Sequence, residues 1–171
     1  MKSKTLISCL IALIAIVGLF VWGYSTRDGT TASVQNVATV NNSKNMLTTD
    51  EKFYDFGIIP MKNGDVVKEF TVSNPTDRDI KISKVFTSCM CTSAFIVGSD
   101  GILKGPFGMI GHGAVPPANE IVKAGDSLII RAVFNPNAHG PAGVGRIDRF
   151  ITLTDTDGGT LDLEIKATVT P

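Results

Sequence analysis

The sequence predicts an all-β fold, an antiparallel β-sandwich, and three observations carry that expectation. From Leu161 to Val169 apolar and polar residues alternate strictly, with Leu161, Leu163, Ile165, Ala167 and Val169 on one side. Period-2 alternation of that length is the mark of a half-buried strand. After Asp50 no stretch carries a 3.6-residue apolar pattern. Short β-rich runs are instead separated by turn clusters such as Asn74-Pro75-Thr76-Asp77 and Asp155-Thr156-Asp157-Gly158-Gly159. Runs of that length and spacing indicate a sandwich.

The individual strands follow from the same rule. Val66–Ser73 is rich in β-formers and ends at the Asn-Pro turn. Ile80–Phe86 comes next, and its apolar phase slips between Ile82 and Val85, which predicts a bulge. Thr92–Val97 is β-branched and aromatic. In the run 128–134, Leu128, Ile130, Ala132 and Phe134 form one core-facing row. Ile151 and Leu153 supply the hairpin partner of the last strand. A short strand at 120–122 is expected to turn through Ala124-Gly125 and pair with 127–134.

Two Gly-rich loops interrupt this pattern. Gly98 to Glu120 holds six glycines and three prolines, and 135–145 contains His139-Gly140-Pro141-Ala142-Gly143. Neither is a phosphate loop, because no Gly-Lys-Ser/Thr follows either one. Asp55-Phe56-Gly57 lacks the partner motifs that would give it a kinase meaning.

The N-terminus reads as a targeting segment. Lys2 and Lys4 precede an uncharged apolar run from Leu6 to Trp22. This run is long for a cleavable signal and short for a membrane span. Residues 1–24 are therefore expected to be an apolar helix that anchors the chain with its C-terminal part outside, or a signal cleaved near Gly23-Tyr24-Ser25. The anchor is the preferred reading. Cys9 lies inside the run with apolar residues after it, so it does not fit a lipidation signal. Residues 25–49, rich in Thr, Ser, Asn and Val, read as a flexible tether, leaving 50–171 as the folded domain.

Charge excludes one class of partner. Sixteen basic residues balance 16 acidic ones, and aromatic residues are few. Nothing here forms the basic, aromatic-studded surface that nucleic acid requires. Membrane contact, through Leu6 to Trp22, and a protein partner at the cell envelope are the expectations.

The residues also resemble a known family. Tyr54-Asp55-Phe56-Gly57-Ile58-Ile59, Phe70-x-Val72-x-Asn74, Ser88-Cys89-x-Cys91-Thr92, Gly125-Asp126-Ser127 and Val133-Phe134-Asn135-Pro136 follow in the order of the bacterial domain-of-unknown-function family 1573. The resemblance covers roughly Lys52 to Val169, with the first Gly-rich loop as an insertion. It implies an immunoglobulin-like, Hydin-type sandwich in exported or envelope proteins, and it implies no activity. Met90 stands where the family commonly has glycine.

Cys89 and Cys91 are the residues with chemistry to offer. Thiols outside the cytosol pair, bind soft metals or exchange electrons. On an extended strand both would point to one face, with Cα atoms about 6.5–7 Å apart. That is at the limit for an unstrained disulfide. Side-by-side thiolates suit copper(I) or zinc(II). Three readings stand: structural cysteines, free or in a strained bridge; soft-metal ligands; and a redox pair. Met109, His112 and His139 are of the right type to complete a metal site. The expected topology, however, puts both histidine loops at the end opposite the cysteines and makes them a separate question. No Gly-x-Ser-x-Gly, His-Glu-x-x-His or suggestive carboxylate pair is present, so an enzyme is not expected. The reading is a non-enzymatic envelope module for binding or scaffolding through its loops. The alternative is a copper- or zinc-binding protein using Cys89 and Cys91.

Overall fold

The computed structural model describes residues 46–98 and 100–171. The apolar helix expected at 1–24 and most of the tether expected at 25–49 fall outside the described residues. Among the described residues no helix is long and apolar enough to cross a membrane.

Nine strands build a β-sandwich of two antiparallel-rich sheets. In chain order they are β1 (Phe53–Pro60), β2 (Val66–Ser73), β3 (Ile80–Thr87), β4 (Thr92–Val97), β5 (Leu103–Phe107), β6 (Glu120–Val122), β7 (Ser127–Phe134), β8 (Gly145–Asp155) and β9 (Thr160–Thr170). One sheet has the order β1-β9-β8-β3-β6 and the other β2-β7-β4-β5. The alternating rows named above fill the space between them. Phe70 and Val72, Ala94 and Ile96, and Ile130, Ala132 and Phe134 come from one sheet. They face Ile82, Val85, Ile151, Leu153, Leu163 and Ile165 from the other. Each large side chain withdrawn from water in this way contributes about 1.5–3 kcal/mol.

The last hairpin is as expected: Ile151 pairs with Leu163 and Leu153 with Leu161. The register of β3 against β8 shifts between Ile82 and Lys84, where the apolar phase slips. Four features differ from the sequence expectation. First, β1 is a strand and runs parallel to β9, so the sandwich is not wholly antiparallel. Gly57, at φ +70°, donates its N–H to the Asp55 carboxylate (2.8 Å) in the middle of β1, where the register breaks. That interruption erases the alternation.

Second, β5 lies inside the loop at 98–120. It pairs with β4 at the sheet edge, a place where Gly105 and Pro106 are tolerated. Gly105, at φ +139°, passes so close to β4 that a Cβ there would meet the Ala94 carbonyl at 2.9 Å. Third, the folded part begins before residue 50. Leu47 is buried, and Thr48 exchanges backbone hydrogen bonds with Ser73.

Fourth, β6 pairs with β3 in the other sheet and not with β7. The buried Asn74 fixes this crossing. Its amide donates to the carbonyls of Arg78, Val122 and Lys123, and its own N–H bonds the Asp126 carbonyl. Strand β7 therefore lies directly between β2 and β4, antiparallel to both.

Candidate functional site

Antiparallel pairing of β4 and β7 decides where the chemistry sits. Thr92, the first residue of β4, pairs with Phe134, the last of β7. The loop after β7 thus leaves the sandwich at the end where the cysteines enter it. The Asn135 N–H bonds the Cys91 carbonyl (2.9 Å), tying loop and motif together. The Asn135 side chain then accepts the Asn137 N–H (2.7 Å), and the chain curls into a short 3-10 turn at Gly140–Gly143. His139, at the start of that turn, has its Nε2 3.2 Å from Cys89 Sγ. The separation of His139 from the cysteines, expected from a β6–β7 hairpin, is therefore corrected. β5 carries the chain back along β4, β7 then runs antiparallel to β4, and the loop after it falls at the cysteine end.

The motif itself is a turn and not an extended strand. The Thr92 N–H donates to the Cys89 carbonyl (3.1 Å), closing a β-turn with Met90 and Cys91 at its centre. Neither central residue has positive φ, so Met90 fits where glycine is not required. The buried Thr87 hydroxyl lies 3.0 Å from the carbonyl oxygens of both Cys89 and Thr92 and holds the turn from beneath. Ser88 bonds β8 on the other side, its N–H to the Phe150 carbonyl and its hydroxyl oxygen from the Phe150 N–H. Turning at Met90 brings the sulfurs together: both cysteines are free thiols, with Sγ atoms 2.7 Å apart.

A fourth group completes the cluster. Arg149 donates from Nε to Cys91 Sγ at 3.2 Å. It occupies a core-facing position of β8, between the buried Ile147 and Ile151 and opposite the buried Ile165. Among the described residues no carboxylate lies within ion-pair distance of its guanidinium, and the side chain it meets is the Cys91 thiol.

Electrostatics divide the two thiols. Burial pushes Cys89 up, but hydrogen bonds from the Cys91 thiol and backbone N–H, the His139 contact and the Arg149 charge outweigh it. The Cys89 thiol is lowered to about 7. Burial pushes the Cys91 thiol up, and its hydrogen bond to the Cys89 sulfur adds to this despite Arg149 and Thr92. Arg149 is itself held above its usual value: burial acts against the charge, and the Cys91 and Cys89 sulfurs overcome it. The result is a half-buried Cys89 that loses its proton more readily than an ordinary thiol, a buried Cys91 that holds its proton more tightly, and a fixed positive charge behind both.

Cys89, Cys91 and His139 each present a donor atom, and the three atoms lie within 4.8 Å of one another. No other such group of His, Cys, Asp or Glu occurs among the described residues. Its donors span the soft and borderline range that selects copper(I) or zinc(II). His112 is not part of it. Met109 pairs through its backbone with Thr87, so its loop also lies at this end of the sandwich. The sequence reading missed Arg149 altogether. A signal was present: Ile147-x-Arg149-x-Ile151-x-Leu153 puts a charge in a core-facing row.

No family model matches the chain, and no curated protein matches it. Among solved structures it is similar to a protein of unknown function from Porphyromonas gingivalis W83, with a TM-score of 0.52 at 14% identity. That match covers 78% of this chain and 51% of the other. It is also similar to VesC, a secreted serine protease from Vibrio cholerae, with a TM-score of 0.47 at 14% identity over 76% of this chain and 25% of that one. The chain thus spans about half the length of the first protein and a quarter of the second. The first likeness shows the sandwich fold and nothing about activity, and the second carries no argument.

Proposed function

We propose that this chain is an exported, non-enzymatic envelope module whose sandwich carries a soft-metal site formed by Cys89, Cys91 and His139. The observation that carries the reading is the convergence of three donor atoms from two chain segments, the 89–91 turn and the loop after β7. Structural cysteines need no imidazole aimed at them. A metal site needs one, and the hydrogen bonds at Thr87, Ser88 and Asn135 fix the donor-bearing backbone before any ion arrives. The first strand beside the last, and core rows drawn from both sheets, support an immunoglobulin-like sandwich in the manner of family 1573. The apolar run from Leu6 to Trp22 supports export, either with the domain anchored outside the cytoplasm or released there. In that setting the site would bind copper or zinc. A protein partner would meet it at the loop end, where Met90 and Ile110 are exposed.

The test is metal titration of the reduced full chain against a Cys89→Ser/Cys91→Ser variant. One equivalent bound by the wild type and lost in the variant is the expected result. Equal, weak binding by both would contradict it.

One observation favours a second reading, thiol–disulfide exchange. Cys89 is half-exposed and its thiol lies near neutrality, while Cys91 is buried against it as a resolving thiol would be. Intact-mass measurement before and after reductant and alkylation separates the two. Thiols that are unreactive until reduced support exchange; thiols shielded by metal and freed by a chelator support ligation.

A further inference from the structure

We propose that the site is selective for copper(I) over zinc(II), and that Arg149 is the residue that sets this selectivity by balancing charge. This rests on the metal-site reading above and goes one step beyond it. Strand β8 carries an arginine at a core-facing position where its neighbours in the row are aliphatic. Arg149 stands in the row Ile147, Arg149, Ile151, Leu153 and has no carboxylate partner among the described residues. A half-buried cation in that position favours negative charge beside it, and the Cys91 sulfur at 3.2 Å is placed to carry that charge once a metal displaces its proton.

Counting charge then separates the metals. Two thiolates and neutral imidazole around a monovalent ion carry −1, and Arg149 brings the cluster to zero. The same ligands around a divalent ion are already neutral, and Arg149 would leave a net positive charge in a half-buried site. Coordination number points the same way. Three protein donors satisfy copper(I), whereas zinc(II) takes four and would need an added ligand. Binding displaces the thiol protons to solvent and forms two metal–sulfur bonds and one metal–nitrogen bond. Bonds of about 2.3 Å hold the two sulfurs about 4 Å apart. The pair must therefore open from 2.7 Å, and the half-exposed Cys89 side chain is the one free to move.

The experiment is anaerobic competition of the reduced full chain against chelators of known copper(I) and zinc(II) affinity. Wild type, Arg149→Gln, Arg149→Lys and Cys89→Ser/Cys91→Ser are compared, each with a thermal melt. Expected are tighter copper(I) than zinc(II) binding in the wild type and at least a tenfold fall in the copper-to-zinc affinity ratio for R149Q. R149K, which keeps the charge, should recover part of the ratio. If R149Q does not fold, the ratio in R149K decides: it must stay above one-tenth of the wild-type value. Equal loss of both affinities in R149Q would mean that Arg149 only favours thiolates, and the selectivity proposal would fall. So would a wild type that prefers zinc(II). Binding unchanged by the double cysteine variant would overturn the site itself, a result distinct from either.

Discussion

The β8–β9 hairpin and the thiol end of the sandwich are two regions stabilised in opposite ways. In the hairpin, every inward position from Ile151 to Leu153 and from Leu161 to Val169 is apolar, and its partners are near in sequence. At the thiol end, order comes from single hydrogen bonds that link residues far apart: Thr87 to the turn, Ser88 to Phe150, Asn135 to Cys91. The hairpin holds its shape by burial and, from Ile151 onward, carries no chemistry; Arg149, nearer the start of β8, belongs to the thiol end. The other end gives up burial for polar contacts and thereby presents two sulfurs, an imidazole and a guanidinium together. Stability and function are thus separable, and they should respond to different substitutions.

The largest effect on folding should come from the hairpin. Ile151→Ala removes a fully buried side chain and should cost about 2–5 kcal/mol in denaturant unfolding. Metal affinity of the folded fraction should be unchanged. A matching loss of affinity would show that the two regions are coupled. Thr87→Val tests the boundary between them. It leaves two carbonyls beneath the turn without their donor, a loss of about 1–3 kcal/mol. Here alkylation of the cysteines should accelerate as well, because the turn loosens.

His139→Ala should leave the melting temperature in place, since the side chain is exposed. It should weaken metal binding roughly 10- to 100-fold, or about 1.4–2.8 kcal/mol. Unaltered affinity would remove His139 from the site. The smallest effect is on reactivity. Because the Cys89 thiol is lowered to about 7, its thiolate fraction grows as pH rises through that value. Its alkylation rate in the metal-free protein should be half-maximal near there, well below the ordinary thiol value of about 8.5. Cys91 should label only at higher pH. A single profile shared by both thiols would contradict the division between them.

The two regions also differ in how far the amino-acid sequence reveals them. The β9 row, the β3 bulge and the bounds of β2 and β4 are legible because side-chain phase along one strand reports its own burial. Strand β1 is not, because Gly57 breaks its phase and its partner β9 lies more than a hundred residues away. Nor is β5, whose only buried residue is Phe107. At the site, Cys89 and Cys91 are visible as donors from their type and setting. His139 is visible as a donor but not as their neighbour. Its place depends on β5 carrying the chain back inside the Gly-rich loop, so that β7 runs antiparallel to β4 and brings the loop after it to the cysteine end. Arg149 was legible once β8 is extended back to Gly145, as a charge in an apolar phase.

Cys89, Cys91 and His139 are proposed to bind one ion together. X-ray absorption at the metal edge of the reduced full chain loaded with one equivalent of copper(I) tests it most directly. Two sulfur scatterers and one nitrogen scatterer are expected around the metal, with the sulfur contribution lost in Cys89→Ser/Cys91→Ser and the nitrogen contribution lost in His139→Ala. A shell of nitrogen and oxygen alone, or a sulfur shell unaffected by those substitutions, would contradict it.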